Sequence, residues 1–126
     1  MGARAPTKDE AKTWTPTEWQ LHLEAMPKPS PVAVCQELDE TFALTQARNP
    51  EVLVSWLVLA CESGYAPPLP RVEEVLGQIG RMKYLQPLYR ALFRRDETRA
   101  LAHDLFARFR GRYHPIAQQL VRNVLV

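Results

Sequence analysis

A chain of 126 residues, of which 46% are hydrophobic, has the size and apolar content of one domain with a single core. The formal net charge of +2 is close to neutral, and residues 1–12 lack the apolar stretch that a secretory signal requires. The longest apolar stretch, Val52 to Cys61, is far shorter than the roughly 20 residues that span a bilayer. We therefore expect a soluble chain with no membrane partner, and the cytoplasm is the favoured compartment.

Charge is unevenly distributed along the chain. Residues 1–80 contain 6 Lys and Arg against 11 Asp and Glu, whereas residues 81–126 contain 10 against 3, a net charge of +7. Nucleic-acid binding is one candidate explanation for such a basic segment. The arginines are spread around helix faces among Asp96, Glu97 and Asp104, and no recognised nucleic-acid motif accompanies them. We predict no nucleic-acid partner.

Helix-start signals, a capping residue followed by proline, recur along the chain. They stand at Thr15-Pro16, Ser30-Pro31, Asn49-Pro50 and His114-Pro115. Together with the apolar spacing they predict seven helices. These run from about Pro16 to Ala25, from Pro31 to near Thr45, from Pro50 to Gly64, from the prolines after residue 66 to Gly80, from Met82 to Phe93, from a cap at Asp96 to Gly111, and from Pro115 onward.

The third of these segments is apolar almost all round and rich in β-branched residues, so a strand is conceivable for Val52 to Cys61. The Asn49-Pro50 start signal and Gly64 at the end favour a central buried helix instead. We expect Trp56 to lie at the centre of the core.

Short helices joined by tight proline or glycine connections indicate antiparallel neighbours stacked in layers. The predicted fold class is therefore all-α, about seven short helices in an armadillo-like or α-α superhelix. Residues 14–126 are expected to form a single helical domain, and residues 1–13 a disordered or added leader.

No catalytic or metal motif is visible. Zinc peptidases use H-E-x-x-H, two histidines one helical turn apart, but the three histidines here are followed by Leu23, Asp104 and Pro115. Each histidine is expected at the surface or at a helix cap. The two cysteines, Cys35 and Cys61, lie in apolar helical stretches and are expected as buried thiols, with a disulfide as the minor alternative.

The sequence also offers no good candidate for a catalytic nucleophile or for a pair of catalytic carboxylates. Ser30 is interpreted as a cap, and Ser55 sits in an apolar helix. Two acidic groups are interpreted as solvated helix faces rather than acid–base pairs. They are Glu73 with Glu74, and Glu37 with Asp39 and Glu40.

The remaining constellation is Gly80-Arg81-Met82-Lys83-Tyr84, between the end of one helix and the start of the next. Two cations beside a helix N-terminus make a plausible site for a carboxylate or phosphate. On a regular helix, residues two apart diverge by roughly 200°, whereas on extended backbone they point the same way. The site therefore requires at least part of this segment to be non-helical; the alternative is plain solvated surface.

Five segments in order resemble one family. The stretch from Asn49 to Trp56 resembles its "N-x-E-[IL]…R-W-x-x-L" helix, and Gly80 to Tyr89 its "G-[RK]-x-K-[FY]-x-x-P-L-[FY]" segment. The other three are Trp14 to Pro27, Leu38 to Thr45, and the closing helix from His114-Pro115. The family is that of the C-terminal helical domain of leukotriene A-4 hydrolase and aminopeptidase B, which are zinc metallopeptidases. Ser55 departs from the pattern, since the family often has arginine before the tryptophan.

The resemblance implies a non-catalytic module of a larger zinc aminopeptidase. It would pack against the catalytic domain, which would hold the zinc, while this chain would contain no cofactor. The resemblance also implies that Arg81 and Lys83 recognise the free carboxylate of a peptide substrate. The alternative function is a free-standing helical-repeat module for protein–protein interaction, which predicts an exposed apolar patch lined by a helical pair.

Overall fold

The computed structural model describes residues 5–126, so residues 1–4 of the expected leader lie outside the described part. Within residues 5–126 the regular structure consists of eight α-helices and two short 3-10 helices, with no strand. The prediction of an all-α fold is confirmed. No helix in this part of the chain is long and apolar enough to cross a membrane. Two compact units are present, one ending at Pro68 and the other spanning Leu69–Val126; the layered superhelix and the single domain stay predictions.

The first unit contains four α-helices and one 3-10 helix. They are α1 (Lys8–Ala11), α2 (Pro16–Ala25), α3 (Val32–Phe42), the 3-10 helix Leu44–Gln46, and α4 (Pro50–Ser63). The short helix α1 was not expected, because it lies in the segment predicted as a leader. It starts at a capping box in which Thr7 Oγ1 accepts from Glu10 N at 3.1 Å and Glu10 Oε1 accepts from Thr7 N at 2.9 Å. A second capping box, formed by the predicted cap Thr15 and by Glu18, likewise starts α2.

Helix α4 settles the choice between helix and strand for the central apolar segment. Asn49 Oδ1 accepts hydrogen bonds from the amides of Glu51 and Val52 at 2.9 and 3.2 Å, which is the predicted cap. Gly64 ends the helix with φ 76°, a left-handed conformation that glycine adopts without strain. Nine of the fourteen residues of α4 are buried, and Trp56 is fully so. The prediction of a central buried helix is confirmed.

Helix α3 differs from expectation at both ends. Its N-cap is Pro31 rather than Ser30, whose buried hydroxyl instead donates to the carbonyl of Pro27 at 2.6 Å. The helix ends at Phe42 rather than near Thr45, because Ala43 adopts a left-handed conformation with φ 53°. The chain then turns back, and Thr45 meets the carboxylate of Asp39.

The second unit contains the other four α-helices. They are α5 (Leu69–Gln78), α6 (Met82–Arg94), α7 (Asp96–Phe109) and α8 (Pro115–Val124), with the second 3-10 helix at Arg110–Arg112. Helix α6 packs against α7 and α8, and α5 packs against α7. The prediction that Asp96 caps α7 is wrong: it is the first helical residue, Arg95 is the N-cap, and the Asp96 carboxylate pairs with Arg99 at 3.1 Å.

Two tyrosines and a carbonyl form a hydrogen-bonded chain in the core of this unit. Tyr113 Oη donates to the Leu76 carbonyl at 2.7 Å and lies 2.9 Å from Tyr89 Oη. Since a phenol has one proton, Tyr89 must donate to Tyr113. Burial and this hydrogen bond raise the pKa of Tyr89, and burial raises the pKa of Tyr113, so both phenols are neutral at physiological pH.

Helices α5 and α7 approach closely at one glycine. A Cβ at Gly77, in α5, would lie 3.0 Å from Cζ of Phe109 at the end of α7. That spacing is tighter than ordinary van der Waals contact, so a larger residue there would push the ring away. Glycine thus lets α5 and α7 approach.

Candidate functional site

The candidate site predicted from sequence lies at the start of α6. Arg81 is its N-cap, with φ −75° and ψ 130°, so it is extended, whereas Lys83 lies in the first helical turn. The segment is therefore partly non-helical, as the two side chains require if they are to point toward one ligand. Both residues are exposed.

Both cations stand against one aromatic ring. The Arg81 guanidinium carbon lies 5.8 Å from the centroid of the Tyr84 ring, and the Lys83 ammonium nitrogen lies 5.1 Å from it. Tyr84 is buried, so its ring gives the two flexible side chains a fixed surface to pack on. The extended N-cap and the shared ring bring together two charges that a continuous helix would send in different directions.

A pocket of about 440 Å³ opens beside these cations. It is lined by the beginnings of two helices, Gly80, Arg81, Met82 and Lys83 at α6 and His114, Ile116 and Ala117 at α8. Helices α6 and α8 pack together, and the lining residues place both N-termini beside the same space. The N-terminus of a helix carries partial positive charge from its first amides, which adds to the formal charges of Arg81 and Lys83.

The chemistry of this pocket suits an anion that is attached to an apolar group. The lining residues include no Asp or Glu, so the electrostatic character of the pocket is set by cations and helix N-termini. Two lining side chains, Met82 and Ile116, are large apolar groups with exposures of 41% and 58%. A carboxylate that accepts from Arg81 would place its neighbouring substituent near them.

The three histidines fall in different surroundings. His114 is the N-cap of α8, and its Nδ1 accepts from the Ile116 amide at 3.1 Å, which confirms the capping prediction. His103 is exposed, as predicted. His22 is half-buried with its ring 4.9 Å from that of Trp14, so the surface prediction is wrong for it. Among residues 5–126 no group of three His, Cys, Asp or Glu residues is placed to hold a metal ion.

The two cysteines are buried free thiols, so the disulfide alternative is wrong. Burial raises the pKa of Cys61 to about 12, and the neighbouring Glu62 charge adds to the shift. Burial also raises the pKa of Cys35, against a smaller lowering by its hydrogen bond with Ser63. Both thiols are therefore protonated at physiological pH, and the interpretation as small buried hydrophobes is confirmed.

Two of the acidic residues expected on solvated faces, Glu73 and Asp39, are partly exposed and also make specific contacts. Glu73 of α5 binds Arg108 of α7 at 2.7 Å, and Asp104 binds the same guanidinium at 3.3 Å. Asp39 accepts from both the amide and the hydroxyl of Thr45, at 2.9 and 2.8 Å. Part of the basic charge of residues 81–126 is thus paired within the second unit.

Sequence reasoning missed the place of His114 beside the pocket. The local signal, a histidine before proline, predicted only the start of α8. Its proximity to Arg81 depends on the packing of α6 against α8, which local spacing does not encode.

The fold and this pocket define an all-α protein that presents basic groups to a surface cavity. Residues 14–125 match the family described as "Leukotriene A4 hydrolase, C-terminal". Leucine aminopeptidase 2 of Neurospora crassa is 32% identical over 123 residues, which are 95% of this chain and 18% of that protein. Leukotriene A-4 hydrolase of Xenopus laevis is 30% identical over 101 residues, which are 80% of this chain and 17% of that protein.

A third relative, leucine aminopeptidase 2 of Aspergillus fumigatus, is 36% identical over 88 residues, 70% of this chain and 14% of that protein. The chain therefore belongs to the family of leukotriene A-4 hydrolase C-terminal domains. It spans less than a fifth of the length of these three curated relatives.

Proposed function

We propose that the chain is the non-catalytic C-terminal helical domain of a zinc-dependent aminopeptidase. In this proposal the domain packs on the catalytic domain, and Arg81 and Lys83 bind the free carboxylate of a peptide substrate. The family match and the names of the relatives support the aminopeptidase context. The pocket at the start of α6 supports the role in binding.

The observation that carries the proposal is the convergence of two cations on Tyr84 at the mouth of one pocket. A guanidinium can donate two parallel hydrogen bonds to a carboxylate, and an ammonium adds a point charge without a fixed direction. Arg81 then provides the oriented contact, and Lys83 provides additional attraction. The start of α6 adds a dipole of the same sign.

Zinc and hydrolysis belong to the catalytic domain in this proposal. The residues of this chain do not fit a zinc site, because no group of three suitable ligands comes together anywhere in the described part. The domain contributes by holding the carboxylate end of the substrate so that the peptide bond near its other end reaches the catalytic groups. Such positioning accelerates a reaction by restricting the orientation of the bound substrate.

The test is to measure kcat/KM in the full-length aminopeptidase on a tripeptide and on its C-terminal amide. A hydrogen bond to a charged group contributes roughly 1.5 to 3 kcal/mol, so Arg81→Ala should lower kcat/KM on the free acid roughly ten- to a hundredfold. Lys83→Ala should cost less, because it removes no bidentate contact. Both losses should largely vanish on the amide, which lacks the partner charge.

The matched control is Arg90→Ala, which removes one exposed positive charge from the same helix α6 but does not line the pocket. It should leave both substrates nearly unaffected. Equal losses on acid and amide in Arg81→Ala would show that this residue supports structure. Unchanged kcat/KM on both substrates would show that the two residues are ordinary exposed residues, and it would favour the protein-interaction alternative.

A further inference from the structure

His114 lies at the start of α8 and lines the pocket, but the proposed function gives it no role. Its Nδ1 accepts the hydrogen bond from the Ile116 amide at the start of α8. An accepting ring nitrogen carries no proton, so the single proton of the neutral imidazole sits on Nε2. The helix cap thus fixes the tautomer and leaves an N–H donor on the side of the ring away from the capped amide.

The position of His114 places its ring at the pocket that the proposed function assigns to the carboxylate. His114 lines the same pocket as Arg81 and Lys83, and its side chain is exposed. The other lining side chains are apolar, so none of them accepts a hydrogen bond from Nε2. A carboxylate has two oxygens and about four lone-pair directions, which is room for a third donor beside the two cations.

We propose that His114 is a third binding residue for the substrate carboxylate, donating through Nε2–H from the α8 side of the pocket. The inference rests on the proposed function, since it takes the same carboxylate as its ligand. Donors on two helices would fix the carboxylate plane better than two cations on α6 alone, because long Lys and Arg side chains each have several rotatable bonds. His114 therefore contributes orientation as well as attraction.

A capping role alone also explains a histidine at this position, so the experiment must separate the two nitrogens. His114→Asn keeps the cap, because the Asn side-chain oxygen takes the place of Nδ1 and Asn is among the preferred N-cap residues. It removes the donor at Nε2. His114→Ala removes both functions and serves as the comparison.

The measurement uses the full-length aminopeptidase with the same tripeptide and its C-terminal amide, together with a urea-unfolding midpoint for each variant. We expect His114→Asn to unfold at the wild-type midpoint and to lower kcat/KM on the free acid by roughly tenfold, with the amide changed by less than about twofold. His114→Ala should show the same loss on the acid and, in addition, a lower unfolding midpoint.

Three results overturn the inference. They are wild-type kinetics of His114→Asn on both substrates, equal losses on both, and a lowered midpoint that accounts for the loss. If Arg81→Ala still shows its acid-specific loss in any of these cases, the proposed function stands without His114. If His114→Asn shows an acid-specific loss and Arg81→Ala does not, the inference about His114 is supported and the assignment of the carboxylate to Arg81 fails.

Discussion

Trp56 joins three segments of the first unit through its ring and its Nε1–H group. The ring is fully buried in α4. Nε1 donates to Thr45 Oγ1 at 3.0 Å, and that hydroxyl donates to Asp39 Oδ2 at 2.8 Å. One side chain thus connects α4 to the 3-10 helix and to the end of α3.

We predict that Trp56→Ala lowers the free energy of unfolding by roughly 3 to 5 kcal/mol, because it removes a large buried side chain and leaves a cavity. That is a large share of the 5 to 15 kcal/mol that is typical of a domain. Chemical denaturation of the purified chain measures it. Trp56→Phe, which keeps an apolar ring but not the donor, should cost less. A loss below about 1 kcal/mol for Trp56→Ala would show that this position is not a core site.

The same cluster shows where sequence reasoning succeeded and where it stopped. Burial of Trp56 was predictable, because α4 is apolar on nearly every face and has a cap at each end. The role of Asp39 was not, because helical spacing put it on the polar side of α3. Its partner Thr45 reaches it only because Ala43 turns the chain back with φ 53°. A left-handed alanine has no sequence signal comparable to glycine.

At the scale of elements, the two hydrogen bonds that join Tyr89, Tyr113 and Leu76 connect three parts of the second unit. Tyr89 belongs to α6, Leu76 to α5, and Tyr113 precedes α8. Its central member is the Tyr113 hydroxyl, which both donates and accepts. The two hydroxyls are therefore not equivalent.

We predict that Tyr113→Phe costs more stability than Tyr89→Phe. Removing the Tyr113 hydroxyl takes the partner from two buried groups, the Leu76 carbonyl and the Tyr89 hydroxyl, at roughly 1 to 3 kcal/mol for each unsatisfied group. Removing the Tyr89 hydroxyl leaves the bond to Leu76 intact and should cost about 1 kcal/mol. Urea denaturation of both single variants and the double variant gives the order. Equal costs would contradict the assigned direction of donation.

Element boundaries were predictable where the signal is local. Thr15, Asn49 and His114 cap their helices as expected, because a cap is decided by a few adjacent residues. The predicted cap of α7 was wrong by one residue: Arg95 is the N-cap, and the Asp96 carboxylate pairs with Arg99. The candidate site residues Arg81 and Lys83 were predicted from their place at a helix junction and from the family resemblance. Their pocket also needs the start of α8, which lies more than thirty residues further along the chain.

At the scale of the whole molecule, potential metal ligands are present but dispersed: among residues 5–126 no three His, Cys, Asp or Glu side chains come together to hold a metal ion. Zinc sites in proteins use three or four Cys, His, Asp or Glu side chains within about 2.0 to 2.3 Å of the ion. Cys35 and Cys61 are buried protonated thiols, and His114 uses one nitrogen as a cap. The four residues outside the described part, Met1 to Arg4, include none of these ligand types.

The purified chain should therefore hold no stoichiometric zinc and should not hydrolyse an aminoacyl substrate. Protein prepared without chelator, loaded with excess zinc and then desalted should retain below about a tenth of an ion per chain, because isolated histidine ligands exchange rapidly with solvent. Elemental analysis gives the stoichiometry, and release of a chromogenic amine from an aminoacyl substrate gives the activity. The matched control is His103→Ala, which removes an exposed histidine outside the pocket and should leave the retained zinc unchanged. One tightly held zinc ion per chain, or hydrolysis that a chelator abolishes, would contradict the proposal that both metal and catalysis belong to a separate catalytic domain.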